Sequence, residues 1–95
     1  MAAGAQSMRD NAMKDESIRR LTASGVLPGQ RYQHYRTRAV YLVIAIGLFE
    51  SDLEPLVHYR LAEDEYGIVW TRHLTIFCGQ VAQSAALVPR YTLVN

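Results

Sequence analysis

Residues 40–47 read Val-Tyr-Leu-Val-Ile-Ala-Ile-Gly, and this run decides the fold. It is an unbroken stretch of β-branched, aromatic and aliphatic side chains, a composition typical of strands. Runs of this kind occur in strands that are buried on both faces or central in a closed sheet. The run therefore predicts a strand at the centre of the hydrophobic core.

Shorter stretches on either side of this run have the period of two that is typical of strands. Residues 31–36 alternate loosely and predict a first strand before the run. Pro55 opens a third strand over residues 55–61, and a charged hairpin loop separates it from a fourth strand over residues 68–72. Their order along the chain predicts four antiparallel strands in a meander.

The third of these strands has one face that is more apolar than the other. Val57, Tyr59 and Leu61 share one face, and Leu56, His58 and Arg60 share the opposite face. We expect the first set to point into the core.

The C-terminal part of the chain contains shorter elements. Residues 74–77 are too few for a strand pair or a long helix, and they predict one helical or 3₁₀ turn that tucks Leu74 and Phe77 under the sheet. Residues 87–94 predict the last strand, with Pro89 favouring an edge position. The predicted fold is mainly β: a small SH3-like, partly open barrel of five or six short antiparallel strands, with an N-terminal helix.

The N-terminal part of the chain has a different composition. Residues 1–9 are small and polar and predict a disordered tail. Residues 10–25 predict a helix, because acids come early and arginines late, which suits the helix dipole. Gly25 is a typical helix stop, and Pro28 prevents the helix from resuming. Residues 26–95 then form the small β-barrel domain.

Charge and cysteine content exclude several classes of function. Ten Lys and Arg residues against nine Asp and Glu residues give a net charge of +1, so binding to duplex nucleic acid through phosphates is disfavoured. The single Cys78 cannot form an internal disulfide, and no zinc-ligand spacing is present. The apolar run is about half as long as a membrane-spanning helix requires, and no signal-peptide pattern occurs at the N-terminus. We therefore expect a cytoplasmic protein that has no cofactor, no metal and no association with membranes.

Aromatic residues with polar tips lie beside arginines on several predicted strands. These residues predict a groove in which a planar ring stacks and guanidinium groups hold a phosphate or carboxylate: Tyr32, Tyr35, Tyr59, Trp70 and Phe77, with Arg36, Arg60 and Arg72. The alternative is that Tyr59 and Trp70 fill the core while the arginines pair with surface acids. The predicted ligand-binding set draws on these residues and adds His34 and Glu50: His34, Tyr35, Glu50, Tyr59, Arg60, Trp70 and Arg72.

Catalytic interpretations of the same residues are weaker. His34 could act as an acid or base only if the fold placed a partner beside it, and a hydrogen bond to a neighbouring backbone group or acid is the simpler interpretation. The carboxylates near Glu50 favour a solvated loop over a cation site, since the glycine turn of a calcium loop is absent. Cys78 is predicted to be a buried structural thiol. No residue is predicted to be catalytic.

Several motifs in order resemble a bacterial family known as domain of unknown function 1653, over about residues 26–92. The matching motifs are Gly29-x-x-Tyr32-x-His34-Tyr35-Arg36, Tyr41-x-Val43, Glu54-Pro55-Leu56-Val57-x-Tyr59-Arg60, Gly67, Trp70-x-Arg72-x-Leu74-x-x-Phe77 and Val88-Pro89-Arg90-Tyr91. The chain departs from the family pattern twice: Leu48-Phe49-Glu50 replaces a His-Ser-Glu stretch, and His73 replaces a proline. The resemblance implies a small cytoplasmic β domain and implies no known reaction.

Three hypotheses for function follow from these features. The first is a non-enzymatic module that binds a small anionic or aromatic ligand, such as a nucleotide or a nucleic-acid end. The alternative is a protein-interaction or self-assembly domain that docks through the N-terminal helix or an edge strand. A small hydrolase or isomerase using His34 or Glu50 is the least favoured.

Overall fold

The computed structural model describes residues 2–94, with side chains from residue 8 onward, as an N-terminal helix followed by short strands. The elements in chain order are α1 (Ala2–Ser24), β1 (Arg31–His34), β2 (Val40–Leu48), β3 (Pro55–Leu61), β4 (Trp70–His73), α2 (Leu74–Phe77), β5 (Gln80–Gln83), β6 (Ala86–Pro89) and β7 (Tyr91–Leu93).

Five strands form one antiparallel sheet in the order β4-β3-β2-β1-β7. The meander predicted for β1 to β4 is confirmed, with β2 at the centre of the sheet. β4 and β7 lie at opposite edges, so the sheet is not closed into a barrel. The predicted fold class, mainly β and partly open with an N-terminal helix, is confirmed, while the relation to SH3-like barrels stays a prediction.

The predicted last strand is two strands with different partners. β6 pairs with β5 in a separate hairpin, whereas β7 pairs with β1 at the edge of the main sheet. The division falls at Arg90, whose N–H donates to the carbonyl of Gly79 and whose carbonyl accepts from the N–H of Tyr35. Pro89 has no N–H to continue the first ladder, so the change of partner occurs directly after it. The described residues therefore contain seven strands, not five or six.

The alternation predicted for β3 is observed. Pro55, Val57 and Tyr59 are buried, whereas the residues between them are only partly buried. Leu61, at the end of the strand, is 36% exposed, so the core ends before it.

Of the two alternatives for β2, it is central in the sheet, which is open, and it is not buried on both faces. Val43 is buried, but Ile44 is 40% exposed and the other residues of β2 are only partly buried. The buried apolar side chains of α1 and α2 belong to the same core cluster as Val43, namely Leu21, Leu74 and Phe77. A shift in register between Val43 and Ala45 leaves Ile44 without a partner in β3.

Aromatic rings fill the centre of this core. Phe77, in the single helical turn α2, stacks on Tyr91 with ring centroids 4.4 Å apart and meets Tyr32 edge-on at 5.1 Å. Leu74 and Phe77 are both buried, as predicted for a turn tucked under the sheet.

Helix α1 begins at Ala2, eight residues before its predicted start, so residues 2–9 are helical where a disordered tail was predicted. Alanine is the strongest helix former, and extending an existing helix costs less than starting one. The helix ends at the predicted glycine: Gly25 has φ of 74°, which a residue with a side chain rarely adopts. Near that end Leu21 is buried, and Arg20 forms an ion pair with Glu54 at 3.1 Å. Neither helix in the described part of the chain has the length and apolarity needed to cross a membrane.

A candidate aromatic-basic binding site

A concave site of about 220 Å³ opens where the turn after β1 meets the first residues of β4. Its walls come from five strands or their connections. We call it the aromatic-basic site, and its lining residues are His34, Arg36, Thr37, Tyr41, Tyr59, Trp70, Arg72 and Tyr91.

Strand register explains why residues distant in sequence meet here. Tyr59 pairs with Trp70, and Val57 pairs with Arg72. Since directly paired residues share a face, Trp70 and Arg72 lie on the same side of the sheet as the buried Tyr59. The aromatic residue and the cation predicted from the sequence are thus brought together.

Four of the seven predicted site residues line this site, namely His34, Tyr59, Trp70 and Arg72. Tyr35 lies next to it, with its ring 4.8 Å from that of His34. Arg60 has the opposite parity in β3, and its guanidinium donates to the carbonyl oxygens of Leu61 and Ala62. The structure therefore does not place Arg60 with the other predicted residues.

Glu50 lies in a different cavity, between helix α1 and the connection from β2 to β3. That cavity is also lined by Asp10, Lys14, Ser51 and Asp52. His34 and Glu50 are thus not brought together, and the structure gives no geometry in which they would act as an acid–base pair.

Sequence reasoning left four lining residues out of the predicted set: Arg36, Thr37, Tyr41 and Tyr91. Tyr41 could have been found from its parity with Val43 on β2, because both face the core side. Arg36 and Tyr91 stand in the motifs that resemble the family. Thr37 carries no signal in the sequence, since only the path of the turn brings it to the site.

The imidazole of His34 is fixed by the backbone of the turn that follows it. Its Nδ1 accepts hydrogen bonds from the backbone N–H groups of Arg36, at 3.2 Å, and Thr37, at 3.3 Å. The ring also meets the ring of Tyr91 edge-on at 5.2 Å. Because Nδ1 is an acceptor, the proton of the neutral ring is on Nε2.

Two tyrosine hydroxyl groups lie at the floor of the site. The hydroxyl of Tyr91 donates to that of Tyr59 at 3.2 Å, and both side chains are buried. Burial, followed by this hydrogen bond, raises the pKa of Tyr91 well above its usual value. The phenol of Tyr91 therefore serves as a neutral hydrogen-bonding group and not as a base.

The rim of the site is cationic and lacks acids. Arg36 and Arg72 line it, and the lining contains no carboxylate. Arg19 pairs with Glu16 within helix α1, and Arg20 of that helix pairs with Glu54 before β3. No ion pair of Arg36 or Arg72 is observed among the described side chains.

Trp70 presents an aromatic surface beside these cations. Its side chain is 50% exposed, in contrast to Tyr59, its cross-strand partner, which is 4% exposed. The expectation that Trp70 fills the core is therefore wrong, because its position on edge strand β4 leaves it beyond the helices that cover the face. A half-exposed indole offers a ring on which a planar ligand can stack.

A family model described as "Protein of unknown function (DUF1653)" matches residues 30–93. The chain belongs to this family. A crystal structure of a DUF1653 protein from Bordetella bronchiseptica is similar to this chain, with 28% sequence identity and a TM-score of 0.60, covering 74% of this chain and 88% of the other. No curated protein matches the chain.

The departures of this DUF1653 protein from the family pattern lie outside the aromatic-basic site. Leu48 is the last residue of β2 and packs against the core, and Phe49 beside it is exposed. His73 is exposed at the end of β4, directly before α2. None of the three lines the site.

Other chemistry considered for this DUF1653 protein finds no support in the described residues. No group of three or more His, Cys, Asp or Glu side chains among them is arranged to hold a metal ion. The prediction that Cys78 is buried is wrong: this residue, which directly follows the last residue of α2, is exposed. Partial desolvation raises the pKa of its thiol, which lowers its reactivity as a nucleophile.

Proposed function

We propose that this DUF1653 protein is a non-enzymatic binding module for a small ligand that carries both an anionic group and a planar ring, such as a nucleotide or a nucleic-acid end. The observation that carries the proposal is the meeting of Arg36, Arg72 and the half-exposed Trp70 in one concavity without an acid. Guanidinium groups bind phosphate or carboxylate through paired N–H donors, and an indole stacks on a planar ring.

The size of the site favours a small ligand. Pockets for drug-sized molecules usually enclose about 300–1,000 Å³, and this one is about 220 Å³ and open to solvent. A phosphate and one ring fit such a volume. A duplex would need a far larger basic surface than a chain with a net charge of +1 provides.

A thermal-shift series with three related compounds tests this proposal. Adenosine monophosphate carries both groups, adenosine lacks the phosphate, and ribose 5-phosphate lacks the ring. A ligand present at 100 times its Kd stabilises the folded state by about 2.7 kcal/mol, which raises Tm by several degrees for a domain of this size. We expect the monophosphate to stabilise the protein more than either fragment; equal or absent stabilisation by all three contradicts the proposal.

Self-association is a second candidate, favoured by the exposure of helix α1. Only Ser17 and Leu21 of its described side chains are buried, and the apolar side chains of Met8, Met13 and Ile18 are exposed. The unpaired edge of β7 is a further surface for docking. Sedimentation measured over a hundredfold range of concentration tests this candidate: a constant monomer mass contradicts it, and a dimer that Met13→Glu abolishes supports it.

A further inference from the structure

The turn that carries Arg36 and Thr37 depends on the side chain of His34. This turn, over residues 35–38, joins β1 to β2 and is closed by a hydrogen bond from the N–H of Arg38 to the carbonyl of His34, at 3.1 Å. Arg38 has φ of 66°, a left-handed conformation that is unfavourable for a residue with a side chain. Hydrogen bonds from the surroundings must therefore offset the cost of this conformation.

Nδ1 of His34 supplies two of those hydrogen bonds. It accepts the N–H groups of both Arg36 and Thr37. A ring nitrogen accepts only while it is unprotonated. A proton on Nδ1 would point at two N–H donors, and both hydrogen bonds would be replaced by repulsion.

We propose that His34 is a positioning residue of the aromatic-basic site: in its neutral form it holds the turn so that Arg36 and Thr37 line the site, and its protonation releases them. The effect on the binding of an anion rests on the function proposed above. The effect on the turn does not.

The groups that face His34 are cationic or aromatic. Three positive charges act electrostatically on the imidazole: Arg36 in the turn itself, Arg72 on β4, and Arg90 between β6 and β7. The rings of Tyr35 and Tyr91 lie against the imidazole. Desolvation first, and then these three arginines, lower the pKa of His34. The turn therefore remains intact at neutral pH and opens only under acid conditions.

This arrangement reverses the pH dependence of anion binding that charge alone would predict. If the turn were rigid, protonation of His34 would add a positive charge to the site and strengthen the binding of an anion. If protonation opens the turn, the site loses the guanidinium of Arg36, and the binding of an anion weakens on acidification.

Amide hydrogen exchange in the ligand-free protein tests the effect on the turn. Protection factors for the amides of Arg36 and Thr37 are measured by NMR from pH 8 down to a pH at which the ring of His34 is protonated, and they are corrected for the pH dependence of intrinsic exchange. We expect protection at these two amides to fall by about tenfold or more on acidification, because both lose their acceptor. Protection that does not change with pH overturns the proposal.

The matched variant is His34→Asn. The side-chain oxygen of asparagine lies as many bonds from the backbone as Nδ1 does, accepts the same two N–H groups in an Asx turn, and does not titrate in this range. We expect His34→Asn to keep the protection at every pH and His34→Phe, whose ring has no acceptor, to lack it at every pH. If His34→Asn shows the same titration as the wild type, another group is responsible and the proposal fails.

Calorimetric titration with adenosine monophosphate at pH 7.5 and pH 5.0 tests the consequence for binding. The ligand's own phosphate titrates near pH 6, so the ratio of the two affinities is compared between wild type and His34→Asn. We expect the wild type to lose about tenfold more affinity than the variant. A smaller loss in the wild type overturns the role of His34 in binding. Absence of binding at both pH values, with the exchange result as expected, overturns the proposed function and leaves the role of His34 in the turn supported.

Discussion

The two ends of the core-facing side of the sheet differ in what covers them. At the end near the connection from β2 to β3, α1 packs on the sheet, and Val57 has no exposed surface. Toward the edge strand β4 and the turn after β1, the same face carries Trp70 and Arg72, and solvent reaches both. One face of one sheet thus provides both the core and the candidate site. The core gives way to the candidate site where the helices no longer cover this face of the sheet.

The largest expected loss of stability comes from a residue in the covered core. Phe77 is 1% exposed and stacks on Tyr91, so Phe77→Ala removes a buried ring and leaves a cavity beneath the site. We expect a loss of about 3–5 kcal/mol in the free energy of unfolding, measured with urea. Ile76→Ala, next to it but 45% exposed, is the control and should cost far less. Similar losses in the two variants would mean that α2 does not cover the core as described.

A substitution in the open part of this face should change ligand affinity and leave the free energy of unfolding nearly unchanged. Arg72→Gln removes a cation that has no ion-pair partner in the described residues, so we expect unfolding to change little. Binding of adenosine monophosphate should weaken by about tenfold to a hundredfold, since a hydrogen bond to a charged group is worth about 1.5–3 kcal/mol. Arg31→Gln, on the opposite face of the sheet, removes the same charge and should leave affinity unchanged. Equal losses in both variants would indicate general attraction by charge and no defined site.

A smaller loss of stability is expected at Tyr91, which belongs both to the core and to the lining of the site. Tyr91→Phe removes the hydroxyl that donates to Tyr59 but keeps the ring stacked on Phe77. We expect a loss of about 0.5–1.5 kcal/mol in the free energy of unfolding. Differential scanning calorimetry can measure it, and an increase in stability would show that the buried hydroxyl pair is unfavourable.

The smallest expected effect is a pH dependence of stability that originates at the open end. The pKa of His34 is lower in the folded chain than in the unfolded chain, where about 6.5 applies. Below that pH the unfolded state binds a proton that the folded state does not, so acidification favours unfolding. We expect the free energy of unfolding to fall below about pH 6.5 and to level off below the folded-state pKa. Urea unfolding of wild type and His34→Asn across this range isolates the effect, and identical profiles would contradict it.

The local pattern of the sequence was sufficient for the parts of the fold that depend on neighbours in the chain. A period of two identifies β3 and its inner face, and the six residues between β4 and β5 leave room only for a short turn such as α2. The meander from β1 to β4 follows because consecutive strands commonly pair. The same parity places Trp70 and Arg72 on the face of Tyr59.

The features that were missed depend on contacts between distant segments. A continuous apolar run does not reveal how many layers cover it, so the sequence left open whether β2 is buried on both faces or only central in the sheet. The pairing of β7 with β1 joins residues about 60 positions apart, and no local pattern encodes it. Arg36 and Arg60 both stand beside tyrosines in the sequence, and only the parity of β3 and the path of the turn decide which one lines the site.

The position of β7 has a consequence for the order of events during synthesis. The chain supplies β1 early and β7 last among the strands, and the outer edge of β1 has no partner until Tyr91 and Leu93 have left the ribosome. Tyr91 is also the residue on which Phe77 stacks and against which His34 lies. A nascent chain stalled before it therefore exposes a strand edge and aromatic surface, and such intermediates are prone to aggregate.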